Sequence, residues 1–338
     1  MEIATLPADD DGYASWYDLL RAARAVDRPD DPLFPRTAVY AGLSKGWPGE
    51  TAEHWIVRDG DTVRGIAELT FPQLDNRTNA ALELLVHPGH RRRGVGGALL
   101  AHCVERARAA GRTKLIADVI ETWPGGGPER STAGAAFATR HGAKRALEEI
   151  RSRMVVSTGS QPRLDTALAE AWGHASGYSL VRWTEDGTPD DIVADVAALD
   201  SDFLNQAPLG ELAWEPEKVD VARTRQIEQA LRDRGWIACH TAARHDATGD
   251  VVAWTMLSFF RDTGDHAWQG ITLVRPDHRG HRLGTVVKLE NLRFARTRHP
   301  TLASIDTCNA TVNDHMVAIN NLMGFQPVDL TVGWQLET

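Results

Sequence analysis

An internal repeat constrains this chain more than any other feature. Residues 85–96 read Leu-Val-His-Pro-Gly-His-Arg-Arg-Arg-Gly-Val-Gly, and residues 273–284 read Leu-Val-Arg-Pro-Asp-His-Arg-Gly-His-Arg-Leu-Gly. At one constant offset, Leu85, Val86, Pro88, His90, Arg91 and Gly96 match Leu273, Val274, Pro276, His278, Arg279 and Gly284. Self-similarity at a fixed offset means that one structural unit is used twice. A chain of 338 residues has room for two domains of roughly 150 residues each.

The surroundings of the two copies repeat as well. Glu53–Val57, Thr62–Leu69 and Ala80–Val86 are short β-rich runs separated by Asp59-Gly60-Asp61 and Asp75-Asn76-Arg77, the pattern of antiparallel strands joined by turns. Gly235–Thr241, Val251–Phe260 and Ala267–Val274 repeat that meander before the second copy. Each loop is followed by a helix. Val95, Leu99, Cys103 and Ala107 share one face of the first, and the second runs from about Leu283 to Thr297. Next come a strand (Leu115–Ile120, Ala303–Thr307) and a short helix ending at Gly142 or Gly324. Helical segments at about Ala14–Val26 and Asp190–Phe203 precede the meanders, and Tyr178–Trp183 opens the second half as a strand. The expected fold class is α/β (α+β), each half a mixed, mostly antiparallel sheet flanked by helices. The expected domains are 1–160 and 176–338, with a linker at 161–175 after the Ser/Gly/Pro stretch 157–162.

Charge narrows the partners. With 46 acidic against 37 basic residues the net charge is −9, which argues against a phosphate-binding nucleic-acid surface. Cys103, Cys239 and Cys308 are three isolated cysteines, so neither a disulfide framework nor a metal site is expected. The N-terminal residues lack a basic flank and an apolar run, and no stretch is apolar enough for a membrane helix, so a cytoplasmic location is expected. The oligomeric state is not legible.

A Gly-containing loop between strand and helix presents backbone N–H groups at the helix N-terminus, where an anion is favoured. Arg91, Arg92 and Arg93 add full charges there, and Gly94, Gly96 and Gly97 permit close backbone approach. No Gly-Lys-Ser/Thr sequence ends the loop, which excludes an ATPase P-loop. Leu99 stands where the dinucleotide fingerprint has its third Gly.

The pattern Arg-x-x-Gly-x-Gly after a Leu-Val-x-Pro strand resembles the acyl-CoA pyrophosphate loop of the GNAT superfamily of N-acetyltransferases, in both halves. The resemblance implies acetyl-CoA as cofactor. Leu85 and Val86 would meet the pantetheine arm, and Arg91, Arg92, Arg93, Gly94, Val95, Gly96, Gly97 and Ala98 the pyrophosphate. In the second copy the same roles fall to Leu273 and Val274, and to Arg279, Gly280, His281, Arg282, Leu283, Gly284 and Thr285. Arg282 departs from the usual Gly. Asn313, eleven residues before Gly324, resembles the family's Asn near the pantetheine, although an Asn opening a helix is also an ordinary N-cap.

N-acetyl transfer needs a base for the ammonium, donors for the developing oxyanion and an acid for the leaving thiolate. The family's usual Glu position holds Ala80 or Trp268, and its usual Tyr position holds Ala138 or Asn320. Glu83, eight residues before Arg91, is the leading base; it could also pair with an arginine on an outer face. The second half has Ile271 there, with His240, Asp306, Cys308 and His315 as alternatives. Trp214, Trp236, Trp254, Trp268 and Trp334 are candidates to line an acceptor pocket in the second half, or core residues. The tandem arrangement also resembles that of the mycothiol synthases, two-GNAT enzymes of actinobacteria whose C-terminal half does the chemistry; the upstream Glu of that half is missing here. The expected activity is acetyl-CoA-dependent acetylation of a primary amine on a small molecule or an N-terminus. The alternatives are a non-catalytic acyl-CoA-binding tandem protein and transfer of a longer acyl chain.

Overall fold

The structure, a computed structural model, describes residues 2–338, except for the side chain of Leu204. It divides into two compact units that do not follow the order of the chain. Unit 1 comprises the residues up to Glu148 together with Leu209–Glu215 and Asp329–Thr338; unit 2 comprises Glu149–Pro208 and Pro216–Val328.

Unit 1 contains β1 (Glu2–Thr5), α1 (Asp10–Asp27), α2 (Arg36–Ser44), β2 (Glu50–Asp59), β3 (Thr62–Pro72), β4 (Asn79–Val86), α3 (Val95–Ala109), β5 (Lys114–Thr122) and α4 (Ala133–Arg140). Helix α1 starts where the Asp9 side chain accepts from the Gly12 N–H at 2.7 Å, and Asp10 and Asp11 suit the positive end of its dipole. Its buried stripe of Trp16, Leu19, Leu20 and Ala23 covers one sheet face against Ile56, Ile66 and Leu85. On the other face α3 buries Val95, Leu99, Leu100, Cys103 and Ala107 against Val57, Leu69 and Leu82. Each fully buried aliphatic side chain contributes about 1.5–3 kcal/mol.

Unit 2 begins with the end of β6 (Lys144–Val155) and continues through α5 (Gln161–Trp172), β7 (Tyr178–Thr184), α6 (Val193–Gln206) and α7 (Val221–Asp233). The expected meander follows as β8 (Trp236–His245), β9 (Val251–Phe260) and β10 (His266–Val274), then α8 (Leu283–Arg298), β11 (Ser304–Ala310) and α9 (Asp314–Met323). The last strand, β12 (Gln326–Glu337), returns to unit 1.

The strand order explains the division. In unit 1 the order is β1-β2-β3-β4-β5-β12, and in unit 2 it is β6-β11-β10-β9-β8-β7. Each sheet is therefore completed by the last strand of the other half of the sequence: β12 pairs antiparallel with β5 through Asp329↔Thr122 to Glu337↔Lys114, and β6 with β11 through Ser304↔Val155 to Ala310↔Glu149. A buried charge cluster fixes each exchanged strand. Asp329 of β12 accepts from Arg130 Nε at 2.9 Å, while the same guanidinium forks onto Asp30 at 2.5 and 2.9 Å. Arg151 and Arg153 of β6 meet Asp306 of β11 at 2.7 and 2.5 Å.

This exchange corrects the expected boundaries. The stretch 161–175, expected as a linker, is largely helix α5, whose Leu164, Ala167, Leu168 and Ala171 are buried in unit 2. Trp214 and Trp334, expected in the second half, lie in unit 1. The helices around 14–26 and 190–203 are present as α1 and α6, shifted at their ends by a few residues. Among the described residues no helix is long and apolar enough to cross a membrane.

Candidate active site

Both units open their sheet at the same place. In unit 1 the parallel pairing of β4 with β5 ends at Ala81↔Ile116, although both strands continue. In unit 2 the pairing of β10 with β11 ends at Trp268↔Asp306, and β10 carries an irregularity between Gln269 and Thr272. Beyond these points the two strands part, leaving backbone groups on β4 and β10 without a neighbouring strand on that side. Leu85 and Val86 remain paired with Ile66 and Gly65 of β3 on the other side. Leu85 packs on the α1 face and Val86 on the α3 face. The matching residues are Leu273, buried, and Val274, half-buried.

The loop after β4 passes through a single 3₁₀ turn, Pro88–His90, before α3 begins. Gly94 caps α3 with φ +84° and makes no side-chain cap bond, so the first N–H groups of the helix, at Val95, Gly96 and Gly97, meet no capping side chain. A Cβ on Gly96 would come within 3.3 Å of Phe137 and 3.5 Å of Val86, so a small residue lets the helix start close to the strand end. Ala98 already donates within the helix, to Gly94 O at 3.0 Å. The three arginines divide their work. Arg91 is not open: its Nε donates to Val86 O at 3.1 Å, and its guanidinium forks onto Asp27 at 2.8 and 2.6 Å. It pins the loop to the end of α1. Arg92 and Arg93 are exposed and make no ion pair among the described residues. Desolvation, and then the nearby side chains of Arg64, His87 and Arg93, lower the His90 pKa.

The loop after β10 repeats this plan. Arg279 bonds Gln206 at the end of α6, as Arg91 bonds Asp27 at the end of α1. Leu283, Gly284 and Thr285 start α8 and are buried, and a Cβ on Gly284 would meet Ile319 at 3.3 Å. The charges here are more nearly answered. Arg275 pairs with Asp277 at 2.9 Å, Arg282 lies 3.8 Å from Glu170, and His281 Nδ1 is 3.2 Å from His174 O. Asn313 is the N-cap of α9, its side-chain oxygen accepting from Met316 N–H at 3.2 Å.

Glu83 lies on β4 two residues past the last pairing with β5, on the α1 face with Leu85. Its side chain is exposed at the surface of β4, yet neighbouring protein atoms still desolvate its carboxyl. That desolvation is the main cause of a raised pKa; Glu68 and Asp118 push the same way and Arg24 opposes them. Asp118, two residues past the break on β5, is itself raised by desolvation. A carboxylate with raised pKa at the mouth of two parting strands can accept a proton from a bound amine. The other expected alternatives sit differently. His240 is stacked between Trp183 (4.8 Å) and Trp254 (5.9 Å), accepts from Trp254 Nε1 at 3.2 Å, and burial pushes its pKa down to about 4. Burial would raise Asp306, but Arg153, His266 and Arg151 reverse this, and it serves the strand exchange. Cys308 and His315 are exposed.

Sequence reading missed four members of this environment: Glu68, Asp118, His54 and Arg24. It also missed Lys288, fully buried in α8, whose Nζ donates to Asn320 Oδ1 at 2.6 Å and whose pKa burial lowers to about 7. Asn320 in turn donates to Asn309 at 2.6 Å, three residues past the break on β11. Where unit 1 has Glu83, unit 2 has Ile271, packed with Trp254 and Leu273. Among the described residues no group of three His, Cys, Asp or Glu side chains could hold a metal.

Comparison with known proteins bears on the family. Residues 13–122 match the model of the Acetyltransferase (GNAT) family. The mycothiol acetyltransferase of Stackebrandtia nassauensis is 47% identical over 66 residues, a match spanning 19% of this chain and only 21% of that protein. The mycothiol acetyltransferase of Saccharomonospora viridis is 27% identical over 337 residues, 93% of this chain and 92% of that one. Among solved structures, a tandem GNAT protein from the clavulanic acid biosynthesis pathway superposes with a TM-score of 0.82 at 35% identity, covering 99% of this chain and 98% of the other.

Proposed function

The chain belongs to the GNAT acetyltransferase family, with two modules in tandem, and on that premise we propose that unit 1 transfers an acetyl group from acetyl-CoA to a primary amine of a small molecule. One observation carries the reading: in unit 1 the parted strands, the uncapped helix start and, on the parting strand itself, a carboxylate of raised pKa occur together.

The residues present fit the cofactor. The N–H groups of Val95, Gly96 and Gly97, with Arg92 and Arg93 beside them, suit a pyrophosphate, and the free side of β4 at Leu85 and Val86 suits the amides of a pantetheine arm. Acetyl-CoA supplies an acetyl group already activated as a thioester. An amine is nucleophilic only when neutral, so Glu83 takes the proton that the ammonium must lose. Arg91 holds the loop against α1 so that the helix start keeps its aim.

Unit 2 supports a second reading for itself. It keeps the strand break and the helix start but has Ile271 in place of the carboxylate, which favours cofactor binding without turnover there. Titration calorimetry with acetyl-CoA, run beside a thiol-release assay over a panel of primary amines, tests both readings. Binding with amine-dependent thiol release is expected. Tight binding without release from any amine would make the whole chain a binding protein.

A further inference from the structure

Glu83 is one member of a row of ionisable side chains crossing unit 1. His54 of β2 stands in register with Glu68 of β3, and Glu68 stands in register with Glu83 of β4. Directly opposed residues on one face of an antiparallel pair have Cβ atoms about 4.5–5.5 Å apart. The row lies on the α1 face: the ring of Trp16 from α1 meets His54 edge-on, with centroids 5.5 Å apart. Glu68 is held from two sides. His54 Nε2 lies 3.1 Å from its Oε2, and Thr70 Oγ1 donates to its Oε1 at 3.3 Å. Beyond Glu68, His54 lines a cavity of about 390 Å³ together with Tyr13, Leu43 and Trp55.

We propose that Glu68, held in place by His54, is a positioning residue that sets the acid–base behaviour of Glu83 in the transfer reaction. These two contacts, one on each oxygen, hold the carboxylate in place. Its charge then faces Glu83 across the β3–β4 pair, and like charges at this separation disfavour each other's ionised form. Glu83 consequently holds a proton more readily than a lone carboxylate, as a group that must take one from an ammonium should. The other charges facing Glu83 come from two further elements: Arg24 of α1, which opposes Glu68, and Asp118 of β5, which reinforces it. Ile271 occupies the equivalent place in unit 2, so this arrangement belongs to unit 1.

The inference rests on Glu83 as the base, and the experiment separates the two claims. The full-length protein, labelled with carbon-13 at the glutamate carboxyl carbons, is titrated by NMR, with the Glu83 signal assigned by its loss in Glu83→Gln. Glu68→Gln is expected to move the Glu83 midpoint to lower pH and Arg24→Gln to higher pH. In a His54→Ala background the effect of Glu68→Gln should shrink, because Glu68 has lost its anchor. An unmoved midpoint in Glu68→Gln overturns the proposal, and an undiminished effect in the His54→Ala background overturns the role of His54. Thiol release by Glu83→Gln reports separately: if that variant keeps full activity, the reading of Glu83 as the base fails whatever the titration shows.

Discussion

In the loop after β4, Arg92 and Gly94 take φ values of +62° and +84°; in the loop after β10 the same two places hold Gly280 and Arg282, at +87° and +52°. Each turn therefore needs two left-handed residues, and each copy supplies one glycine and one arginine, in opposite order. An L-residue in this region costs roughly 1–2 kcal/mol, so neither arginine is there for backbone ease. What is shared is the backbone path that starts a helix beside a broken strand pair, together with a brace from the first arginine to the preceding helix. What differs is the charge. Arg92 and Arg93 stand open in the first loop, whereas Arg275 and Arg282 of the second have acids nearby. The carboxylate row is confined to unit 1. The scaffold is thus kept in both copies, and on the proposed reading the chemistry lies in the first.

The largest effect should come from the clusters that fix the exchanged strands. Arg130→Met leaves Asp329 buried without its main partner and should cost about 3–5 kcal/mol in urea unfolding. Arg151→Met should cost less, since Arg153 still holds Asp306; equal losses would break this contrast. Next is the loop backbone. Gly94→Val puts a β-branched residue at φ +84°, and the strain of 1–3 kcal/mol should weaken acetyl-CoA binding about tenfold or more by calorimetry. Arg282→Gly should leave affinity intact, because it relieves strain. Smaller still, Arg92→Gln with Arg93→Gln should lower affinity severalfold and flatten its salt dependence, while Arg282→Gln does neither. The pH profile then sharpens the comparison. Glu83 must be ionised to act, and its raised pKa means that activity falls with decreasing pH before the ordinary carboxylate range is reached, as a kcat/KM profile will show.

Local patterns were legible in the sequence. The two meanders and their following helices could be placed because alternation, turn residues and the repeated loop are all written within a few residues of one another. The strand exchange was not legible. β6 and β12 have the composition of a last strand in either sheet, and what fixes their placement is pairing of Arg130 with Asp329 and of Arg151 and Arg153 with Asp306 across long sequence separations. Glu83 stood out as an acid amid apolar residues, but its neighbours did not. Glu68 and His54 join it only through the registers of β2, β3 and β4, which the turns set, and Asp118 only through the parallel pairing with β5. Asn313 shows the converse: a motif-like position whose side chain is engaged in capping its own helix.

The most direct test of the central claim is steady-state thiol release from acetyl-CoA by Glu83→Gln and by Ile271→Val, each with the best amine from the panel. Loss of a general base predicts a fall in kcat of about 100-fold or more for Glu83→Gln, with acetyl-CoA affinity unchanged and Ile271→Val close to wild type. Wild-type turnover by Glu83→Gln, or a comparable loss in Ile271→Val, would contradict the assignment of the chemistry to unit 1.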